Sequence, residues 1–151
     1  MTRAPVLASS CASAATAAEA RFRIDRPIEE GRRTTVIALD RGAARIAEDA
    51  AGAVSDRVTF LTMDRSSDRA RVGSEVHGSD LVVLVATSEM DSSTVGALGQ
   101  VDDGRVPTVG LVIGRPLERV GAMAALRDRT VMLVASETPS DLSDILSDLR
   151  A

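Results

Sequence analysis

The sequence predicts an α/β domain, a three-layer α/β/α sandwich around a five-stranded, mostly parallel sheet in the order 2-1-3-4-5. Two observations carry this. Apolar runs recur along the chain as unbroken Val/Ile/Leu stretches, the form taken by strands buried on both faces. Between them lie segments whose apolar residues return every three or four positions, which is the helical period. Strands alternating with helices imply right-handed crossovers and therefore parallel pairing.

Residues 1–33 stand apart. Ala and Ser dominate as far as Ala20, and the charged stretch RFRIDRPIEEGRR follows. A segment of this composition buries little and is expected to be a flexible arm, although Phe22 and Ile24 alternate with Arg21 and Arg23 as in a short edge strand. The α/β domain is assigned to residues 34–151. Its expected strands are TTVIAL (34–39), VTFLT (58–62), DLVVLVA (80–86), PTVGLVI (107–113) and TVMLVA (130–135). Ala43, Ile46, Ala47, Ala50 and Val54 mark the first helix, Val72 and Val76 the second, and Val95 and Leu98 the third. Leu117, Val120 and Ala124 mark the fourth. In the last helix Leu142, Ile145, Leu146 and Leu149 form one stripe, with Thr138 as N-cap, Pro139 at the first helical position and Asp141 as the capping-box acid.

Composition narrows the chemistry. At 44% hydrophobic the chain can build a core, but Phe22 and Phe60 are its only aromatic residues, which argues against flavin sites and single-stranded nucleic-acid platforms. All 18 basic residues are Arg, so neither a Schiff-base lysine nor a P-loop lysine exists. A net charge of −4 with interspersed signs argues against a nucleic-acid partner. A single cysteine, Cys11, allows no internal disulfide or cysteine metal cage. The longest apolar run, Leu81 to Ala86, is far short of the ~20 residues that span a bilayer, and VLASSCASAATAA is too small and polar for a secretory leader. The expected location is cytoplasmic.

In an open parallel sheet, ligands bind beyond the carboxyl ends of the strands, where the strand order switches direction. Asp40-Arg41-Gly42, Asp64-Arg65, Thr87 through Thr94, Gly114-Arg115-Pro116 and Ser136-Glu137 fall there. Asp40, Glu89 and Asp91 are candidate ligands for a divalent cation, since hard cations take oxygen donors; the alternative is that Asp40 caps the first helix and the other two are solvated loop acids. Ser92, Ser93 and Thr94 open a helix whose N–H groups could receive an anion, the alternative being an ordinary cap at Asp91 or Ser92. The only histidine, His77, lies at the amino end of the third strand, about 20 Å from Ser88 and Ser92 at ~3.3 Å per residue. It is read as a helix C-terminal residue before Gly78, so no catalytic residue is assigned.

SDLVVLVATSEMDSSTVGAL (79–98) is similar to a third strand followed by a Met-Asp loop, VPTVGLVI (106–113) to a fourth strand, and ETPSDLSDILSDLRA (137–151) to a closing helix. From Thr34 to Ala151, on the strength of these segments, the chain resembles the response-regulator receiver domain, which has a flavodoxin-like architecture. The resemblance would put Val85 at the phosphoacceptor position and leave Asp40 alone of the acidic pair. The fifth-strand lysine is missing, and Ile113 or Gly114 replaces the switch hydroxyl. It therefore implies a pseudo-receiver that cannot run an aspartyl-phosphate switch. DLVVLVATSEMDSSTVGA followed by TVGLVI also resembles, more distantly, the nucleotide-binding half of the bacterial tubulin-like GTPases, without their loop glycines. The expected function is a non-catalytic regulatory or protein-interaction module whose partner is another protein chain or a second copy of itself. The alternative is a nucleotide- or divalent-metal-binding subunit of an enzyme complex, with Mg²⁺ as the cation.

Overall fold

The computed structural model describes residues 32–54, 56–63, 68–98 and 104–148. Nearly all of the expected arm, together with Asp64, Arg65 and Leu149, lies outside the described residues. In chain order the elements are β1 (Thr34–Ala38), α1 (Arg41–Ala51), β2 (Val58–Thr62), α2 (Asp68–His77), β3 (Leu81–Thr87) and α3 (Ser92–Leu98). β4 (Thr108–Ile113), α4 (Val120–Leu126), a 3-10 turn (Arg127–Arg129), β5 (Met132–Ser136) and α5 (Asp141–Asp148) complete the domain. The five strands pair in parallel in the order β2-β1-β3-β4-β5, a doubly wound, flavodoxin-like sheet.

Burial explains the unbroken apolar runs. Alternate residues of the inner strands enter two cores, one on each face of the sheet. Ile37, Leu39, Val82, Leu84 and Ala86 pack with Val72, Val76, Leu98 and Leu126 of α2, α3 and α4. Val36, Ala38, Val83 and Val85 pack on the other face, against Ala43, Ala47 and Ala50 of α1 and Leu142 and Leu146 of α5. Each buried Val, Ile or Leu side chain contributes about 1.5–3 kcal/mol. At the amino end of β1, the Thr35 hydroxyl meets the Ser79 hydroxyl at 2.6 Å, and Ser79 donates to the Glu75 carbonyl, tying the sheet to the end of α2. Its neighbour Thr34 is buried, and its hydroxyl has no hydrogen-bond partner among the described residues.

Three details differ from the sequence reading. β5 carries an apolar run like the others, yet Met132 and Ala135 are exposed and Leu133 and Val134 half-buried, because β5 is a sheet edge. The face expected for the fourth helix is not the buried one. Residues 115–119 form turns closed by N–H groups of Glu118 and Arg119 on the Arg115 carbonyl, so the helix starts late, at Val120. It buries Ala122 and Leu126, while Leu117 and Val120 are 91% and 60% exposed. Finally, α5 begins at Asp141 after a turn in which the Asp141 N–H donates to the Thr138 carbonyl. The expected capping box is routed through Ser136, whose hydroxyl accepts from the Thr138 N–H and donates to the Asp141 carboxylate.

Candidate functional site

From β1 the chain passes to β2 on one side, and β3 adds on the other, so the strand order switches at the carboxyl ends of β1 and β3. A groove of about 340 Å³ opens there, lined by Asp40, Arg41, Thr62, Met63, Glu89 and Asp91 among others. The volume falls at the lower end of the range of small-molecule sites.

Asp40 is the best-fixed side chain in it. It sits at the N-cap of α1 with an extended backbone, and its Oδ1 accepts from the Ala43 N–H at 2.8 Å. β1 and β3 run in register, Ala38 beside Val85, so two residues further on Asp40 comes beside Thr87. The Thr87 N–H donates to Oδ2 at 2.6 Å and its hydroxyl to Oδ1 at 2.8 Å. The same hydroxyl oxygen accepts from the Glu89 N–H at 3.2 Å. One carboxylate thus fastens the start of α1 to the end of β3. Gly42 belongs to this junction, because a Cβ there would stand 2.7 Å from Thr87 Oγ1 and 3.0 Å from its Cγ2.

Asp91 is the cap of α3. Its Oδ1 accepts from the Ser93 N–H, and its carbonyl accepts from the Thr94 N–H at 3.2 Å. The Ser93 hydroxyl, then the Ser93 and Thr94 N–H groups, favour the ionised carboxyl and hold it below the ordinary aspartate value. The N–H groups of Ser93 and Thr94, two of the three residues expected to receive an anion with Ser92, are therefore already engaged by Asp91.

The three candidate cation ligands, Asp40, Glu89 and Asp91, line one groove but do not converge. Among the described residues, no three His, Cys, Asp or Glu side chains are grouped so that they could hold a metal ion. The physical reason is that Asp40 and Asp91 turn to the backbone of the helices they cap, and Glu89 lies exposed in the turn after β3. The alternative weighed for Asp40, a cap on the first helix, is what the structure shows. Val85, at the position the receiver resemblance assigns to the phosphoacceptor, is fully buried inside β3. His77 ends α2, and its Nδ1–H donates to the Gly73 carbonyl at 2.8 Å, at the amino end of the sheet.

Sequence reading placed Thr87 at the strand end but missed its part in fixing Asp40. Counting the β1–β3 register two residues past Ala38 and Val85 identifies the pair. Thr62 and Met63 were missed because nothing in VTFLTM distinguishes lining residues from strand ends. Among the described residues no helix is long and apolar enough to cross a membrane. No protein-family model matches the chain, and no curated protein matches it.

Proposed function

We propose that this domain is a non-catalytic interaction module, a pseudo-receiver in the sense of the resemblance above, that docks on another protein chain through its β4–α4–β5 side. One observation carries the reading. Among the described residues, the large hydrophobic residues that stand exposed, Leu117, Val120, Val131 and Met132, all belong to the span from the end of β4 to the start of β5. The outer side of α4 continues the theme with exposed Gly121 and Ala124. Isolated exposed apolar residues are ordinary, but their concentration on one unit is the mark of an interaction surface. The groove, by contrast, spends its best-ordered carboxylate on holding the fold together.

Cross-linking in the source cells tests this with wild type, Met132→Asp and Asp91→Asn. The module reading expects the cross-linked partners to be lost with Met132→Asp and retained with Asp91→Asn. Unchanged partners in Met132→Asp overturn it.

The groove supports a second reading, a nucleotide- or divalent-metal-binding subunit of an enzyme complex, because acids from β1 and β3 share it with Arg41. A cation that binds only the native state adds about 2.7 kcal/mol at a hundredfold excess over Kd, which raises Tm by several degrees. The interaction module predicts a shift near zero in millimolar Mg²⁺. A rise of several degrees that vanishes in Asp40→Asn favours the ligand-binding reading.

A further inference from the structure

We propose that Met132 is an oxidation switch: hydroperoxides convert its thioether to the sulfoxide in the folded domain, and the polar product releases whatever docks on the β4–α4–β5 side. The release rests on the interaction reading above, whereas the oxidation site stands without it.

The fold sorts the described methionines by their access to water. Met63 is only 9% exposed and belongs to the core that α2, α3 and α4 cover. Met90 and Met123 are half-buried and pack against that same core. Met132 is 59% exposed, at the first position of β5, next to Val131 at 77%. On one side β5 pairs with β4, Met132 beside Val109, and among the described residues no strand covers its other side. A hydroperoxide therefore reaches this thioether without any opening of the fold, whereas Met63 reacts only when the surrounding structure opens.

The step is an oxygen transfer. A sulfur lone pair attacks one oxygen of hydrogen peroxide, the S–O bond forms and the O–O bond breaks. The departing hydroxide takes the proton of the transferred oxygen and leaves as water, so sulfur is oxidised and the peroxide reduced. A flexible apolar tip becomes a polar, hydrogen-bond-accepting one. Inside a core that exchange breaks packing. At Met132 the side chain already meets water, so the fold is spared and only the surface changes. A partner that covers Met132 must then bury a sulfoxide oxygen without a donor, which weakens its binding roughly tenfold or more. A thiol-dependent sulfoxide reductase restores the thioether, the oxygen leaving as water while two thiols become a disulfide.

Timed hydrogen peroxide treatment of the full chain, read by peptide mass mapping, tests the site. Cys11→Ser removes the only thiol, so that it does not compete for peroxide. In the native chain Met132 should oxidise roughly tenfold or more faster than Met63, and faster than Met90 and Met123, with the rates converging in urea. Chains oxidised at Met132 but still reduced at Met63 should melt within about 2 °C of untreated chains. In the source cells Met132→Gln, whose amide stands in for the sulfoxide, should lose its cross-linked partners. Equal native rates overturn the proposal, as does a melt that falls as Met132 oxidises. Partners kept by Met132→Gln but lost by Met132→Asp overturn the switch and leave the interaction reading standing. Partners kept by both variants overturn that reading and the release together, and the order of rates then decides the oxidation site alone.

Discussion

Replacing Asp40 by Ala removes three hydrogen bonds at once, from the Ala43 N–H, the Thr87 N–H and the Thr87 hydroxyl. Loss of an N-cap costs about 1 kcal/mol. Leaving the two Thr87 donors without a partner in a part-buried site adds about 1–2 kcal/mol. The expected destabilisation is therefore about 2–3 kcal/mol, or roughly 6–10 °C in Tm for a domain of this size. Asp40→Asn keeps one acceptor oxygen but turns an NH₂ group toward a donor, so it should lose about half as much. Thr87→Val removes only the hydroxyl bond and should cost about 1 kcal/mol. Because the two residues share bonds, Asp40→Ala and Thr87→Val should cost less together than the sum of their separate effects. Urea unfolding at neutral pH measures all four variants. A cost below about 0.5 kcal/mol for Asp40→Ala, or strict additivity with Thr87→Val, refutes the idea that this carboxylate fastens α1 to β3.

Thr34→Val removes a buried hydroxyl with no partner among the described residues and keeps the shape, so it should stabilise the domain by about 1 kcal/mol in the same assay. Gly42→Ala should destabilise by about 1–3 kcal/mol, since the new methyl meets a Thr87 side chain already held by Asp40, and Thr87→Ala in the same chain should recover part of the loss. The Asp91 carboxyl has a lowered folded-state pKa, so its capping contribution is present above the unfolded aspartate value and is lost as pH falls through the folded one. The protection of the Ser93 amide against hydrogen exchange, taken relative to its intrinsic rate at each pH, should fall over that acidic window, and in Asp91→Asn that fall should be absent.

The strands and their order were legible because a strand buried on both faces leaves a mark in composition. Val36, Ile37, Val83 and Leu84 could hardly be apolar in succession for another reason. The misread helix face, Leu117-Val120-Ala124, shows the limit of periodicity. It counts apolar spacing without knowing where the helix starts, and the turns after Arg115 displaced that start beyond Leu117. β5 likewise has the composition of an inner strand, and only the sheet order reveals that, among the described residues, it has no neighbour on one side. In the groove, residue types were legible but hydrogen-bond allegiance was not. A short acid after a strand reads equally as a ligand or as a cap, and the choice depends on which N–H groups lie within about 3 Å. Thr87 settles it for Asp40, and Ser93 for Asp91.

The strand order also dictates a sequence of assembly. β1 and β2 can pair first, β3 then adds on the free side of β1, and β4 and β5 follow outward in the order in which they are synthesised. At each stage the newest strand is the growing margin of the sheet, and both β3 and β4 are long, uncharged and apolar. A nascent chain that has emerged only as far as Ile113 thus shows β4 to its surroundings as a naked template for wrong partners, the situation that makes partly folded chains aggregate. Once β5 arrives it covers β4 from Val109 to Ile113 and becomes the margin itself. Ribosome-stalled chains ending before Met132 should therefore recruit chaperones more strongly than chains that extend past Ser136, because the last strand acts as the sheet's selvedge.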